Sequence, residues 1–272
     1  MEVFRKVLSD SDCVSVQGDL TRIHAWCTKW KLNLNLQKCS VMSVSLKKKP
    51  IMFNYTISEC VLNRVSTQRD LGIFLDNRLS FVPHIDFIVK KANRMMGLVW
   101  RNFRSCKNEH VLRTLYCSLI RPQLEYCTLV FNSVSHSQVE RLEMLQILYL
   151  LFMYKVLHND HHNRSYSELC DLFKLSTLTQ RRTVTDCLFL YRLIHSQYNV
   201  PNPFSLHVPE RRTRSASKHI LHVPRCRVEV TKQGFVSRIS NTYNRLHEKC
   251  DVFGAPTLTS FRKQVYRCNS HS

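Results

Sequence analysis

The chain has 272 residues, enough for one large domain or two ordinary ones and for a sizeable buried core. Lysine and arginine number 40 against 20 aspartates and glutamates, a formal charge of +20 that exceeds what solubility needs and favours a polyanionic partner. A membrane role is disfavoured, because the longest apolar run, 147–153, falls short of the roughly 20 residues a span takes, and no helix pairs a Lys/Arg face with a lipid-facing one.

Val16, Leu20, Ile23, Cys27 and Trp30 recur at steps of four and three, one apolar helix face, with Asp12 placed to cap the first turn. Past Leu32 the period shortens. Leu32, Leu34 and Leu36 alternate with Asn33, Asn35 and Gln37, and 41–46 then reads as a strand. Lys38 lies on the loop between helix and strand, where it is either a solvated lysine or a neighbour of a phosphate-handling site. Extended segments at 51–57 and 71–75 follow, with Lys47-Lys48-Lys49-Pro50 as the hairpin connection between the first two strands. Gly72 falls inside the last strand, where it permits close backbone approach.

From Pro83 the helical period returns, with Ile85, Ile88, Ala92, Met95, Val99 and Phe103 on one face. Lys90, Lys91, Arg94 and Arg101 lie largely off that face. Asn108 is placed to cap the next helix, which carries Leu112, Leu115 and Leu119 until Pro122 breaks or restarts it. Ser135 or Ser137 starts the longest helix, built on Val139, Leu142, Leu145, Tyr149 and Phe152. A short helix at 166–173 precedes one opened by Thr179 and built on Val184, Leu188, Tyr191 and Ile194. Pro201, Pro203 and Pro209 mark irregular chain leading to Arg211, Arg212, Arg214 and Lys218. Helical spacing returns at Val236, Ile239, Tyr243 and Leu246 and at Leu258, Phe261 and Val265. The pattern predicts an α+β chain: a small α/β piece at 1–80, an α-helical region at 83–197 and a basic, partly helical tail at 198–272.

Twelve scattered cysteines without a C-x-x-C, and an N-terminus without the apolar core of a signal peptide, point to a reduced intracellular protein, nuclear or cytoplasmic. His158, His161 and His162 cluster near Asp160 and Cys170, but this polar loop lacks the second ligand pair of a zinc site. The five glycines form neither a G-x-G-x-x-G nor a G-x-x-x-x-G-K loop, so Rossmann and P-loop phosphate cradles are excluded.

In collinear order these segments resemble the distal reverse transcriptase region of jockey-like non-LTR retrotransposons. Trp26-Cys-Thr-Lys-Trp30, Leu34-Asn35 and Lys38-Cys-Ser-Val-Met42 are similar to the family's helix, loop and strand around polymerase motif D. Asp70-Leu71-Gly72-Ile73 resembles its primer-grip segment, and His84-Ile85, Lys91-Ala-Asn-Arg94 and Leu98 resemble its first thumb helix. Leu115-Tyr116, Leu119-Ile-Arg-Pro122 and Leu124-Glu-Tyr-Cys127 are similar to an LY..L.RP.LEYC signature. Arg181-Arg182, Leu188-Phe-Leu-Tyr191, Asn244-Arg-Leu246 and Ser260-Phe-Arg-Lys263 follow the family's helical C-terminal region.

The resemblance implies a palm remnant, a thumb-like bundle and a basic tail. It also implies an RNA/DNA hybrid or duplex as partner, met by Lys90, Lys91, Arg94 and Arg101, each of which is otherwise a cation on a solvated helix face; the net charge adds Arg211, Arg212 and Arg214 of the tail. The family's polymerase uses two Mg²⁺ held by an Asp-Asp motif, and this chain contains no Asp-Asp pair, so no metal or catalytic residue is expected on it. The family's basic run near Leu142 is replaced by the apolar Leu145-Gln-Ile-Leu-Tyr-Leu-Leu151, which implies either a decaying copy or a shifted packing face. Three readings stand: a polymerase fragment that still holds primer–template, a co-opted nucleic-acid-binding protein, which the charge alone supports, and the non-functional product of a truncated element.

Overall fold

The computed structural model describes residues 2–159, 164–195, 197–198, 202–206, 220–225 and 232–269. It is mostly helical with a few short strands, and the chain divides into two compact units, Met1–Pro83 and His84–Ser272.

The first unit opens with α1 (Asp10–Lys29). Ser9, not Asp12, occupies the cap position. Asp12, one turn in, reaches back to accept from the amides of Leu8 and Ser9 at 2.8 and 2.9 Å, and these hydrogen bonds hold its carboxyl below the usual aspartate range. The helix ends where Lys31 adopts a left-handed φ of 55° and Leu32 donates to the Cys27 carbonyl at 2.8 Å, one half of a Schellman closure. Of the expected apolar face only Cys27 is buried, and Trp30 is 61% exposed.

The three expected strands are shorter and differently paired. β1 (Ser40–Val41) runs parallel to β4 (Asn63–Arg64), while β2 (Thr56–Ile57) and β3 (Cys60–Val61) form a small antiparallel pair. Lys47–Pro50 therefore does not join paired strands. Pro50 offers no ladder amide and three adjacent ammonium groups repel across a tight turn. Gln17 of α1 completes the β2 edge in place of a strand, donating to the Thr56 carbonyl and accepting from its amide, both at 2.9 Å. β5 (Thr67–Asp70) and β6 (Ile73–Asp76) make the longest ladder, with Asp70 opposite Ile73.

In the second unit α2 (Val82–Phe103) is followed by α3 (Glu109–Leu115), capped by the Asn108 side chain accepting from the Val111 amide at 3.2 Å. Pro122 does not end the run. A π-helical stretch at Tyr116–Ile120 widens the backbone before α4 (Arg121–Glu125), and the Arg121 amide reaches the Tyr116 carbonyl. That widening accommodates the missing amide and bulky ring of Pro122.

α5 (Thr128–Phe131), α6 (His136–His158) and α7 (Tyr166–Leu172) lead to α8 (Leu178–Ile194). α8 is capped by Thr177 in a capping box with Gln180, two residues ahead of the expected start at Thr179. Its buried face is wider than the periodicity indicated. It takes in Arg182 and Asp186, while Leu188 and Ile194 are only partly buried.

α9 (Phe235–Leu246) and α10 (Leu258–Asn269) pack directly on α8. Val184, Cys187, Leu190, Tyr191, Ile239, Tyr243, Phe261 and Val265 form one cluster. Residues 235–269 thus share a core with 178–194 rather than trailing from it.

Candidate nucleic-acid interface

α2 gives the basic residues a rigid frame. His84, Ile85, Ile88, Ala92, Met96 and Val99 are its buried residues; Met96 takes the place expected for Met95, and Phe103 is only half-buried. At about 100° per residue, Lys90, Arg94 and Arg101 fall within roughly 40° of one another on the opposite side. All three are exposed, as is Lys91 at the margin of the stripe. Asp86, one turn before Lys90, is engaged by Arg141 at 2.7 Å, and among the described residues no ion pair neutralises Lys90, Lys91, Arg94 or Arg101. From Lys90 to Arg101 the stripe runs about 16 Å, long enough to face several phosphates of one strand.

Asn35 and Lys38 share one 3₁₀ turn, Leu36–Lys38, in which the Asn35 Oδ1 accepts from the Lys38 amide at 3.3 Å. Both side chains are exposed, so the turn presents the Lys38 ammonium to solvent. Asp70, Leu71 and Gly72 lie at the β5–β6 hairpin. Leu71 and Gly72 are its two turn residues, with φ of 43° and 89°, so Gly72 sits in the turn and not inside a strand. Positive φ at both positions is the primed hairpin turn, which glycine adopts freely and leucine does not. Leu71 is nevertheless held at the tip with 81% of its surface exposed. Arg211, Arg212 and Arg214 lie outside the described residues, as do Asp160, His161 and His162.

A stretch of 148 residues, 52% of the chain, is 29% identical to the "Probable RNA-directed DNA polymerase from transposon BS" of Drosophila melanogaster. Another of 152 residues is 24% identical to the "RNA-directed DNA polymerase from mobile element jockey" of Drosophila funebris, again 52% of the chain. A third, of 136 residues and 48% of the chain, is 24% identical to the "Probable RNA-directed DNA polymerase from transposon X-element" of Drosophila melanogaster. About half of this chain is a region related to the reverse transcriptases of jockey-type non-LTR retrotransposons. The matched stretches cover only 16%, 16% and 14% of those three proteins. No family model and no solved structure matches the chain.

Several motif residues of this reverse-transcriptase-related chain act inside the helical unit rather than on its surface. Arg181 clasps Glu125 with Nε and Nη2, the latter at 2.9 Å, and this pairing outweighs burial to hold the guanidinium pKa above its ordinary value. Glu143 accepts from the amides of Leu178 and Thr179 at 3.2 and 2.6 Å and from the Tyr166 hydroxyl, placing a carboxylate at the positive end of α8. Tyr116 donates to the Gln146 Oε1 at 2.6 Å, and the Gln146 amide donates to the Ser176 carbonyl at 3.0 Å. Leu145, Gln146, Tyr149 and Leu150 are buried, so the apolar stretch at 145–151 packs core. The polar pairs were not legible from spacing, since their partners lie far apart in sequence. The one available signal was a glutamine or charge set on an otherwise apolar helical face.

Among the described residues no three His, Cys, Asp or Glu side chains gather where they could hold a metal ion. Asp12 is committed to the start of α1 through the Leu8 and Ser9 amides. No described helix is long and apolar enough to cross a membrane.

Proposed function

We propose that this chain is the distal part of an RNA-directed DNA polymerase that grips primer–template through its sugar–phosphate backbone and does not itself carry the phosphoryl-transfer centre. In this reading residues 1–80 are a palm remnant, with Lys38 on a motif-D-like turn and Asp70, Leu71 and Gly72 in a primer-grip-like hairpin. The helical unit beginning at α2 is the thumb. The observation that supports it best is the uncompensated stripe of Lys90, Arg94 and Arg101 opposite the buried face of α2. A rigid helix holds those charges at fixed spacing, so little side-chain and backbone freedom remains to be lost on binding. Contacts of this kind position a duplex and carry no base sequence.

The test is a set of binding titrations against an RNA/DNA hybrid at several salt concentrations. Non-specific affinity on the order of 10⁻⁴–10⁻⁶ M at physiological salt is expected, insensitive to sequence. Replacing Lys90, Lys91 and Arg94 together by alanine flattens the slope of log affinity against log salt by about 3. An unchanged slope overturns the α2 reading. Removing the charges of Arg211, Arg212 and Arg214 by substitution is the matched comparison. Deleting 199–272 is not, because it strips α9 and α10 from the core they share with α8.

A further inference from the structure

The strongest unassigned chemistry lies at the C-terminal end of the helical unit. Cys268, in the last turn of α10, and Cys250, in the connection after α9, place their sulfurs 2.9 Å apart. Both are buried, with 1% of Cys250 and 9% of Cys268 accessible. Two thiols in ordinary non-bonded contact stand further apart than this, and the sulfurs lie within about 1 Å of disulfide bonding distance. Burial holds the Cys250 thiol at about 12, with Cys268 beside it reinforcing the shift, so Cys250 is protonated and unreactive while α10 stays docked. Cys187 lies in the same cluster, and burial pushes its thiol up even more strongly.

We propose that Cys250 and Cys268 are a disulfide site that staples α10 to the loop following α9. The reagent is a small disulfide such as oxidised glutathione. Opening of the terminal turn of α10 exposes Cys268, the more accessible of the two. Its thiolate attacks one glutathione sulfur, breaks the glutathione S–S bond and releases the first glutathione as a thiol. Cys250, deprotonated as the turn reopens, attacks the Cys268 sulfur of the mixed disulfide and expels the second glutathione. The net change is one S–S bond formed, one broken, and the two cysteine protons carried away on two glutathione thiols. Redocking of α10 then buries the new bond and shields it from reductants. Under reducing conditions the same residues remain packed as two small apolar side chains.

The test uses the full chain, equilibrated with reduced or oxidised glutathione, quenched by alkylation in denaturant and mapped by peptide mass spectrometry. The expected product is a peptide pair joined through Cys250 and Cys268, lighter by two hydrogens than the sum of its parts. A rise in melting temperature of about 5–10 °C that dithiothreitol reverses should accompany it. Alkylation of both residues after oxidation overturns the proposal, and so does pairing of either one with Cys187. Cys268→Ser serves as a second check, since it should abolish the oxidative rise in melting temperature. A rise that persists in that variant counts against the site.

Discussion

Arg238 of α9 donates its Nε and Nη2 to the two carboxylate oxygens of Asp186 in α8, at 2.9 and 3.2 Å. The side chains are 12% and 3% exposed, and the Asn132 amide donates to the same carboxylate at 3.0 Å. A further bond carries the Arg238 Nη2 to the Leu129 carbonyl at 2.9 Å, so one guanidinium binds the α9, α8 and α5 segments together. Burial pushes the Asp186 carboxyl up, against Arg238 and Asn132, which hold it charged. Arg238→Ala strands that carboxylate and should destabilise the helical unit by about 3–5 kcal/mol. Replacing both partners, Asp186→Leu with Arg238→Met, should recover most of the loss. Urea unfolding followed by circular dichroism reads both, and a cost under about 1 kcal/mol for the single variant would show the pair to be dispensable.

Tyr116 and Gln146 form a smaller version of the same arrangement between the π-helical stretch and α6. Tyr116→Phe leaves the Gln146 carbonyl without its donor and should cost about 1–3 kcal/mol. Gln146→Leu costs a similar amount through the Tyr116 hydroxyl and the Ser176 carbonyl. The double variant should cost less than the sum, because no orphaned oxygen remains between them. Strict additivity in a double-mutant cycle would mean that the two side chains do not depend on each other.

The helices were legible in the sequence wherever an apolar face or a cap could be read, as along Ile85–Val99 and at Asn108. Each of those signals is local to one or two turns. The small pieces of sheet were not, because pairing of β1 with β4 or of Gln17 with Thr56 depends on residues brought together from a distance. For the same reason the tail could be read as helical at Ile239 and Phe261 without revealing that both close the core of α8. Of the candidate interface, the charges on α2 could be read directly, since a helix whose buried side is known fixes where the other residues point. Leu71 could not be placed at a hairpin tip, because a leucine with positive φ runs against the residue's own preference.

Catalysis follows a different rule from binding. Two-metal phosphoryl transfer needs clustered carboxylates, and this chain has no Asp-Asp pair. Incubated with primer–template, nucleotides and Mg²⁺ or Mn²⁺, the purified chain should incorporate no nucleotide above the enzyme-free blank. Template-dependent extension that disappears on mutating one of its own carboxylates would overturn this expectation.

His84 sets the last prediction. Its ring is 1% exposed, stands edge-on to Phe131 with centroids 4.9 Å apart, and among the described residues neither Nδ1 nor Nε2 has a hydrogen-bond partner. Burial holds its pKa below the ordinary histidine value of 6.5. The folded state therefore binds the proton more weakly than the unfolded chain. The contribution of neutral His84 is fully present above about pH 6.5 and is lost as the pH falls from there towards the folded-state value. The slope from this one group is at most about 1.4 kcal/mol per pH unit. His84→Leu removes both the titration and two unsatisfied nitrogens, so it should flatten stability between pH 5 and 7 and leave stability at pH 7.5 unchanged or raised by about 1 kcal/mol. Urea midpoints across that range decide it. If the variant falls off with acid as steeply as the parent, the sensitivity belongs to other groups and His84 is not its source.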